Sequence, residues 1–229
     1  MTEQLARSRP RRGVQHPYGF LSYGRTPHVP DSDGPADSRL VRFHGKLTED
    51  VMALTDLDAH IPAVYLDRRT ALGAGWQDAL KEHLARCQVL VPVLSPRLFT
   101  SAWCAVEWQC FQLRQRLQRE RGTFTRNAVV PVLWNPLRPE DVPSPYADLQ
   151  YTHEDLGDDY ARDGLLGLLT GGRHTTANRV VYQLARKIVE VAESARLEPC
   201  DPALFDALFD AVHRAEPQPS GTAPRGEHR

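Results

Sequence analysis

Val89-Leu90-Val91-Pro92-Val93-Leu94-Ser95, followed shortly by Ser101-Ala102-Trp103-Cys104-Ala105-Val106-Glu107-Trp108, is the stretch that decides the fold. The first run is short, apolar, rich in β-branched residues and closed by Ser95-Pro96, which predicts a buried parallel strand. A helix then opens, with Ser101 as its N-cap. Trp103, Val106, Cys110, Leu113 and Leu117 recur at helical spacing and predict its inward stripe. Glu107 lies four residues after Trp103, so the two are neighbours on one face. Its place on the flank of the stripe predicts a partly exposed, unpaired carboxylate. Two readings of it are open: a solvated charge, or a group facing a ligand. A carboxylate beside an indole, early in a helix that begins where a strand ends, sits where open α/β sheets place ligands.

The flanking sequence repeats the strand-then-helix alternation. Tyr18 to Tyr23 predicts a first strand, and Thr26 to Asp37, rich in Pro and Asp, a loop. Leu40, Phe43, Leu47, Val51 and Leu54 predict a helix from Ser38. Ala63 to Leu66 predicts a second strand, and Asp67 to Gly75 a loop in which Gly73 and Gly75 let the backbone turn. Trp76, Ala79, Leu80, His83, Leu84 and Cys87 predict the next helix. Ala128 to Trp134 predicts a fourth strand and Leu149 to His153 a short fifth. Helices are expected at about 159–169, stopped by Gly171-Gly172, and from Asn178. Asp201-Pro202 opens a last helix, with Asp as N-cap and Pro at N1; Leu204, Phe205, Leu208, Phe209 and Val212 form its apolar face. Five alternations predict an α/β fold, a doubly wound five-strand parallel sheet in the order 2-1-3-4-5. The crevice then lies at the switch point between strands 1 and 3, beyond Tyr23-Gly24-Arg25 and Ser95-Pro96.

Composition bounds the function. The chain has 229 residues and a net charge of −1, so no overall field draws it toward nucleic acid or an anionic membrane. Only three of its 28 basic residues are lysine, a bias that fits a GC-rich bacterial genome. No apolar run approaches the roughly 18–20 residues of a membrane span, and Met1 to Arg12 lacks a signal-type apolar core; a cytoplasmic protein is expected. Cys87, Cys104, Cys110 and Cys200 show no metal spacing with His, so no metal site is expected. Residues 1–16 (Arg-rich) and 216–229 (Pro-, Gly- and Ser-containing) read as disordered tails.

The order of three motifs resembles the TIR (Toll/interleukin-1 receptor) domain family over residues 17–196. Phe20-Leu21-Ser22-Tyr23 is similar to its first strand. Asp67-Arg68 with Gly73-Ala74-Gly75-Trp76 resembles the BB loop after its second strand. Ser101-Ala102-Trp103-Cys104-Ala105-Val106-Glu107 resembles its Ser-x-Trp-Cys-x-x-Glu pattern. The chain is also similar to TIR-like proteins of actinobacterial FxSxx-COOH peptide systems. It departs from the family in a longer loop after strand 1, in Gly24 where a small or polar residue is more usual, and in a helical extension at 197–215.

The resemblance implies a flavodoxin-like TIR fold and one of two functions. As an enzyme, an NAD+ glycohydrolase or ADP-ribosyl cyclase, the domain takes NAD+ as substrate and needs no cofactor. Glu107 is then the catalytic residue. Ser22, Gly24, Arg25, Trp103 and Ser101 are the substrate-binding candidates, Arg25 meeting a phosphate. As a scaffold for signalling, it associates with itself or with other TIR proteins through Asp67, Arg68, Gly73 and Trp76 of the BB loop.

Overall fold

The computed structural model describes residues 16–27, 37–67 and 75–215. Strand β3 (Val89–Leu94) is buried at every position. It lies between β1 (Gly19–Ser22) and β4 (Val132–Leu133), and β2 (Val64–Leu66) pairs with the other side of β1. All pairings are parallel, in the order β2-β1-β3-β4. A strand covered on both faces has no need of polar alternation, which is why the 89–94 run reads as continuously apolar. The expected order holds through strand 4.

The fifth strand does not form, and the sheet has four. The reason lies on β4 itself. Val130 N–H points inward to the Leu90 carbonyl at 2.9 Å, so Val129, Pro131 and Leu133 present their backbone groups to the outer edge. Pro131 has no N–H to offer, and Leu133 N–H already donates to the Tyr160 hydroxyl at 2.6 Å. Residues 149–153 lie across a cavity of about 600 Å³ from this edge. Pro92 thins the inner ladder in the same way. Its missing N–H leaves an isolated bridge at Leu90–Val129 before pairing resumes at Val93–Val132.

Eight helices are described: α1 (Ser38–Leu54), α2 (Trp76–Arg86), α3 (Pro96–Thr100), α4 (Ala102–Glu120), α5 (Ser144–Ala147), α6 (Asp158–Thr170), α7 (His174–Ala195) and α8 (Asp206–Ala215). Helices α1, α6 and α7 pack together, as do α2 and α4, and α8 lies against α4. Leu40, Phe43, Leu47 and Val51 of α1 are buried as their spacing predicts. In α2, Leu80 and Leu84 are buried but Ala79 is exposed. Gly164 breaks α6 with a non-helical φ of 67, and only glycine fits there, since a Cβ would lie 2.6 Å from the Trp134 carbonyl oxygen. That carbonyl instead accepts the Leu166 N–H at 3.0 Å, tying α6 to the end of β4. The 197–215 extension joins the main core through Leu197, Phe205, Phe209 and Val212. Its expected helix opens as a 3-10 turn, Pro202–Phe205, capped by Asp201, and this tighter winding turns Leu204 outward to 48% exposure. Residues 1–15 and 216–229 of the expected tails lie outside the described residues.

The inner face of α4 departs most from its reading. Leu113 and Leu117 are only partly covered, while Glu107, Arg114, Gln115 and Gln118 are buried. Arg114 explains the rotation. Its guanidinium donates to the carbonyls of Leu84 (2.8 Å) and Cys87 (2.7 Å) at the end of α2, and of Glu198 (3.0 Å) and Leu197 (3.4 Å) beyond α7. Gln118 donates to the Ala195 and Arg196 carbonyls at the end of α7, and Gln115 accepts the Ala128 N–H. Burial pulls Arg114 down to about 10, still cationic at neutral pH, so it meets the negative ends of two helices with its charge intact.

Replacing Arg114 by Met strands several buried carbonyls at once. A loss of about 3 kcal/mol or more is expected, read as a lower urea midpoint. Arg116→Met, two residues along on the exposed side of α4, should stay within about 0.5 kcal/mol of wild type.

Candidate functional site

Along β1 side chains alternate between the two faces of the sheet, so Phe20 and Ser22 share one face. In the parallel register Phe20 sits beside Tyr65 of β2, and their rings lie 5.4 Å apart. Ser22 is the last residue of β1. Its hydroxyl donates to the Glu107 Oε2, and the pair is buried. Glu107 is only 3% exposed, not the partly solvated flank carboxylate that its spacing suggested. The switch point between β1 and β3 therefore holds a buried carboxylate bonded to a strand-end hydroxyl.

Local sequence explains how Glu107 reaches that point. Ser95 caps α3 by accepting the Leu98 N–H, with Pro96 at the first helical position. Ser101 then caps α4 by accepting the Cys104 N–H at 3.3 Å. The two caps turn the chain twice within one short segment and bring the second turn of α4 over the end of β1. Gly24 serves the same approach. A Cβ there would lie 2.2 Å from the Arg97 backbone, so the chain leaving β1 can pass α3 only as glycine.

Trp103 (5% exposed) lies one turn before Glu107. Its ring meets Trp76 edge-on at 5.2 Å, and the Trp76 indole N–H donates to Asp67 Oδ1 at 2.9 Å. Asp67 follows β2 directly and is buried. That hydrogen bond links the two ends of the expected BB loop; Arg68 and Gly73 lie outside the described residues. Tyr65 stacks on His83 of α2 at 3.6 Å. Burial first, and then the Asp67 carboxylate, push the Tyr65 hydroxyl up to about 12, and burial lowers His83 from 6.5.

Ser22, Trp103 and Glu107 thus come together, with Asp67 and Trp76 against Trp103. Arg25 is exposed three residues beyond Ser22, while Ser101 and Gly24 shape the backbone. His83 and Phe209 read from the sequence as residues of helical apolar faces, and Tyr65 and the α8 residue His213 were not singled out; Phe209 and His213 are both in ring contact with Trp103. Among the described residues, no group of three or more His, Cys, Asp or Glu could hold a metal ion.

A carboxylate fixed at the carboxyl end of a parallel sheet, with an indole one helical turn before it, is suited to face a developing positive charge. The sequence profile of the TIR domain family matches residues 54–168, half of the chain, from the last residue of α1 into α6. The chain belongs to the TIR domain family. The matched segment of this TIR domain takes in Asp67, Trp76, Trp103 and Glu107 and begins after Ser22. No curated protein matches the chain. TIR domains commonly associate with themselves or with other TIR proteins. No helix among the described residues is long and apolar enough to cross a membrane.

Removing the Ser22 hydroxyl deprives a buried acceptor of its donor. Ser22→Ala should cost about 1–3 kcal/mol, and a double-mutant cycle with Glu107→Met, which offers the hydroxyl no oxygen acceptor, should give coupling above about 0.5 kcal/mol by urea denaturation.

A pH test follows from His83. In the unfolded chain it takes up a proton near pH 6.5, while the folded state resists that proton. Its contribution to stability is therefore complete above about 6.5 and falls as the pH drops below it. His83→Phe keeps a ring against Tyr65 and removes the titration. Wild type should lose ground to this variant in urea midpoint between pH 7 and pH 5.

Proposed function

We propose that this TIR domain cleaves the nicotinamide–ribose bond of NAD+, with Glu107 as the carboxylate that faces the ribose. The observation that carries the reading is the Ser22–Glu107 hydrogen bond at the sheet's switch point, the crevice in which open α/β sheets take nucleotides. When the glycosidic bond breaks, its electron pair leaves with nicotinamide and the ribose gains oxocarbenium character. A preorganised carboxylate stabilises that charge. Water adding to the sugar carbon gives ADP-ribose and a proton; an acceptor within the same nucleotide gives a cyclic product. Arg25, exposed beside the end of β1, is the cation available to a phosphate.

A second reading is favoured by the burial of Glu107 and Trp103. In it the domain is a non-catalytic interaction module, the motif residues serve packing, and the surface around Asp67 and Trp76 binds a second TIR domain. Under either reading we place the protein in the bacterial cytoplasm, in signalling or defence. Service in an FxSxx-COOH peptide system is the narrower assignment under the scaffold reading.

Glu107→Gln separates the two. Glutamine keeps an acceptor for Ser22 and removes the charge. Because Glu107 is buried and bonded, the exchange should move stability by about 1 kcal/mol, the worth of one hydrogen bond. Nicotinamide release from NAD+, followed at high protein concentration, should fall at least about 10²-fold, and sedimentation should show assembly unchanged. The scaffold reading expects no release from wild type and loss of assembly in Arg68 or Trp76 variants. A fully assembled, inactive wild type would remove the enzymatic reading.

A further inference from the structure

Helix α8 sits on Trp103, the indole one helical turn before Glu107. Phe209 meets the Trp103 ring at 5.7 Å and His213 meets it at 5.1 Å, both edge-on. His213 also shares a 2.6 Å hydrogen bond with Gln77, the residue after Trp76. On the rim, Lys81 of α2 pairs with Asp206 at 2.8 Å, and the same ammonium lies 5.9 Å from the Phe209 ring centre. One helix thus grips the start of α2 and the start of α4 together. The contact chain continues from Trp103 to Trp76, and from Trp76 to Asp67.

We propose that α8 is a detachable clasp that keeps the Glu107 site closed by holding Trp103 and Trp76. The activity part of this inference rests on the NAD+ reading; the structural part does not. On that reading the Glu107 carboxylate, 3% exposed, needs a movement before any ribose can reach it. The indole beside it is restrained by α8, because Trp103 meets Phe209 and His213 edge-on as well as Trp76. The grip is local. It rests on a few apolar residues (Phe205, Phe209 and Val212), ring contacts to Trp103, the Gln77–His213 hydrogen bond and the Lys81–Asp206 ion pair at the rim. It shares no strand with the sheet, and such peripheral units open at lower free energy than the core. The segment before it is anchored separately. The Leu197 and Glu198 carbonyls are held by Arg114, and Cys200 N–H donates to the Ala85 carbonyl at 3.1 Å. These anchors hold the chain up to Cys200 and place the hinge at Asp201, so the 3-10 turn Pro202–Phe205 lifts together with α8.

The test uses the full chain in two variants. Phe209→Ala removes the ring against Trp103, and Asp206→Lys turns the rim attraction to Lys81 into repulsion without opening a cavity. Hydrogen exchange is followed at α8, at residues 76–80, at 103–107 and at β3, with nicotinamide release from NAD+ measured in parallel. In both variants the α8 amides should exchange about 10-fold faster or more, as expected for a weakened local unit. Residues 76–80 and 103–107 should speed up with them while β3 stays slow, and nicotinamide release should rise above wild type. Faster α8 exchange with no change at 76–80 and 103–107 overturns the clasp. So does α8 exchange that tracks β3 in every form, since the helix is then no separate unit. Opening of 76–80 and 103–107 in an active protein without a rise in release overturns the closure of the site. If no form releases nicotinamide, the NAD+ reading fails, and the exchange data alone decide the clasp.

Discussion

A single buried guanidinium holds the layers of this domain in relation to one another. Arg114 meets backbone carbonyls at the end of α2 and beyond the end of α7, and its Cζ lies 5.2 Å from the Phe111 ring centre on its own helix. Helix ends carry unsatisfied carbonyls that are costly to bury. One planar fork of donors satisfies two such ends. The arrangement fixes α4 against α2 and α7, and through α4 it fixes the height of Glu107 over the end of β1. It also explains why buried thiols surround a cation harmlessly. Burial pushes Cys87 up to about 12 despite the nearby Arg114 charge, so the thiol stays protonated and behaves as a small apolar group.

The site is built from backbone economy as much as from chemistry. Two serine caps turn the chain into α3 and then into α4, and Gly24 lets the exit from β1 pass against the backbone of α3. With those conditions met, the second turn of α4 delivers a carboxylate to the hydroxyl that ends β1. Residues suggested as substrate contacts divide accordingly: Ser22 and Trp103 touch or neighbour Glu107, while Ser101 and Gly24 make the geometry that brings it there. The aromatic line from Trp76 through Trp103 to Phe209 and His213 joins the segment after β2 to the C-terminal helix.

Patterns within one element were enough to read the four strands that form, the helices between them and the Ser101 cap, while the strand order through β4 followed from the general rule for doubly wound sheets. The elements and the cap depend on periodicity or on a side chain bonding its own backbone, and these are local properties of the chain. Tertiary structure decided the rest. Leu149 to His153 has the composition of a strand, but pairing also needs a partner edge with free N–H groups, and Pro131 and the Tyr160 hydroxyl deny it one. Leu113 and Leu117 have the right spacing for a core stripe. Yet Arg114 and Gln118 took the inner face, because the carbonyls they satisfy come from α2 and from the end of α7, distant in sequence. For the same reason a flank glutamate became a buried one: its partner, Ser22, lies 85 residues away, and no spacing within a helix encodes a bond across that separation.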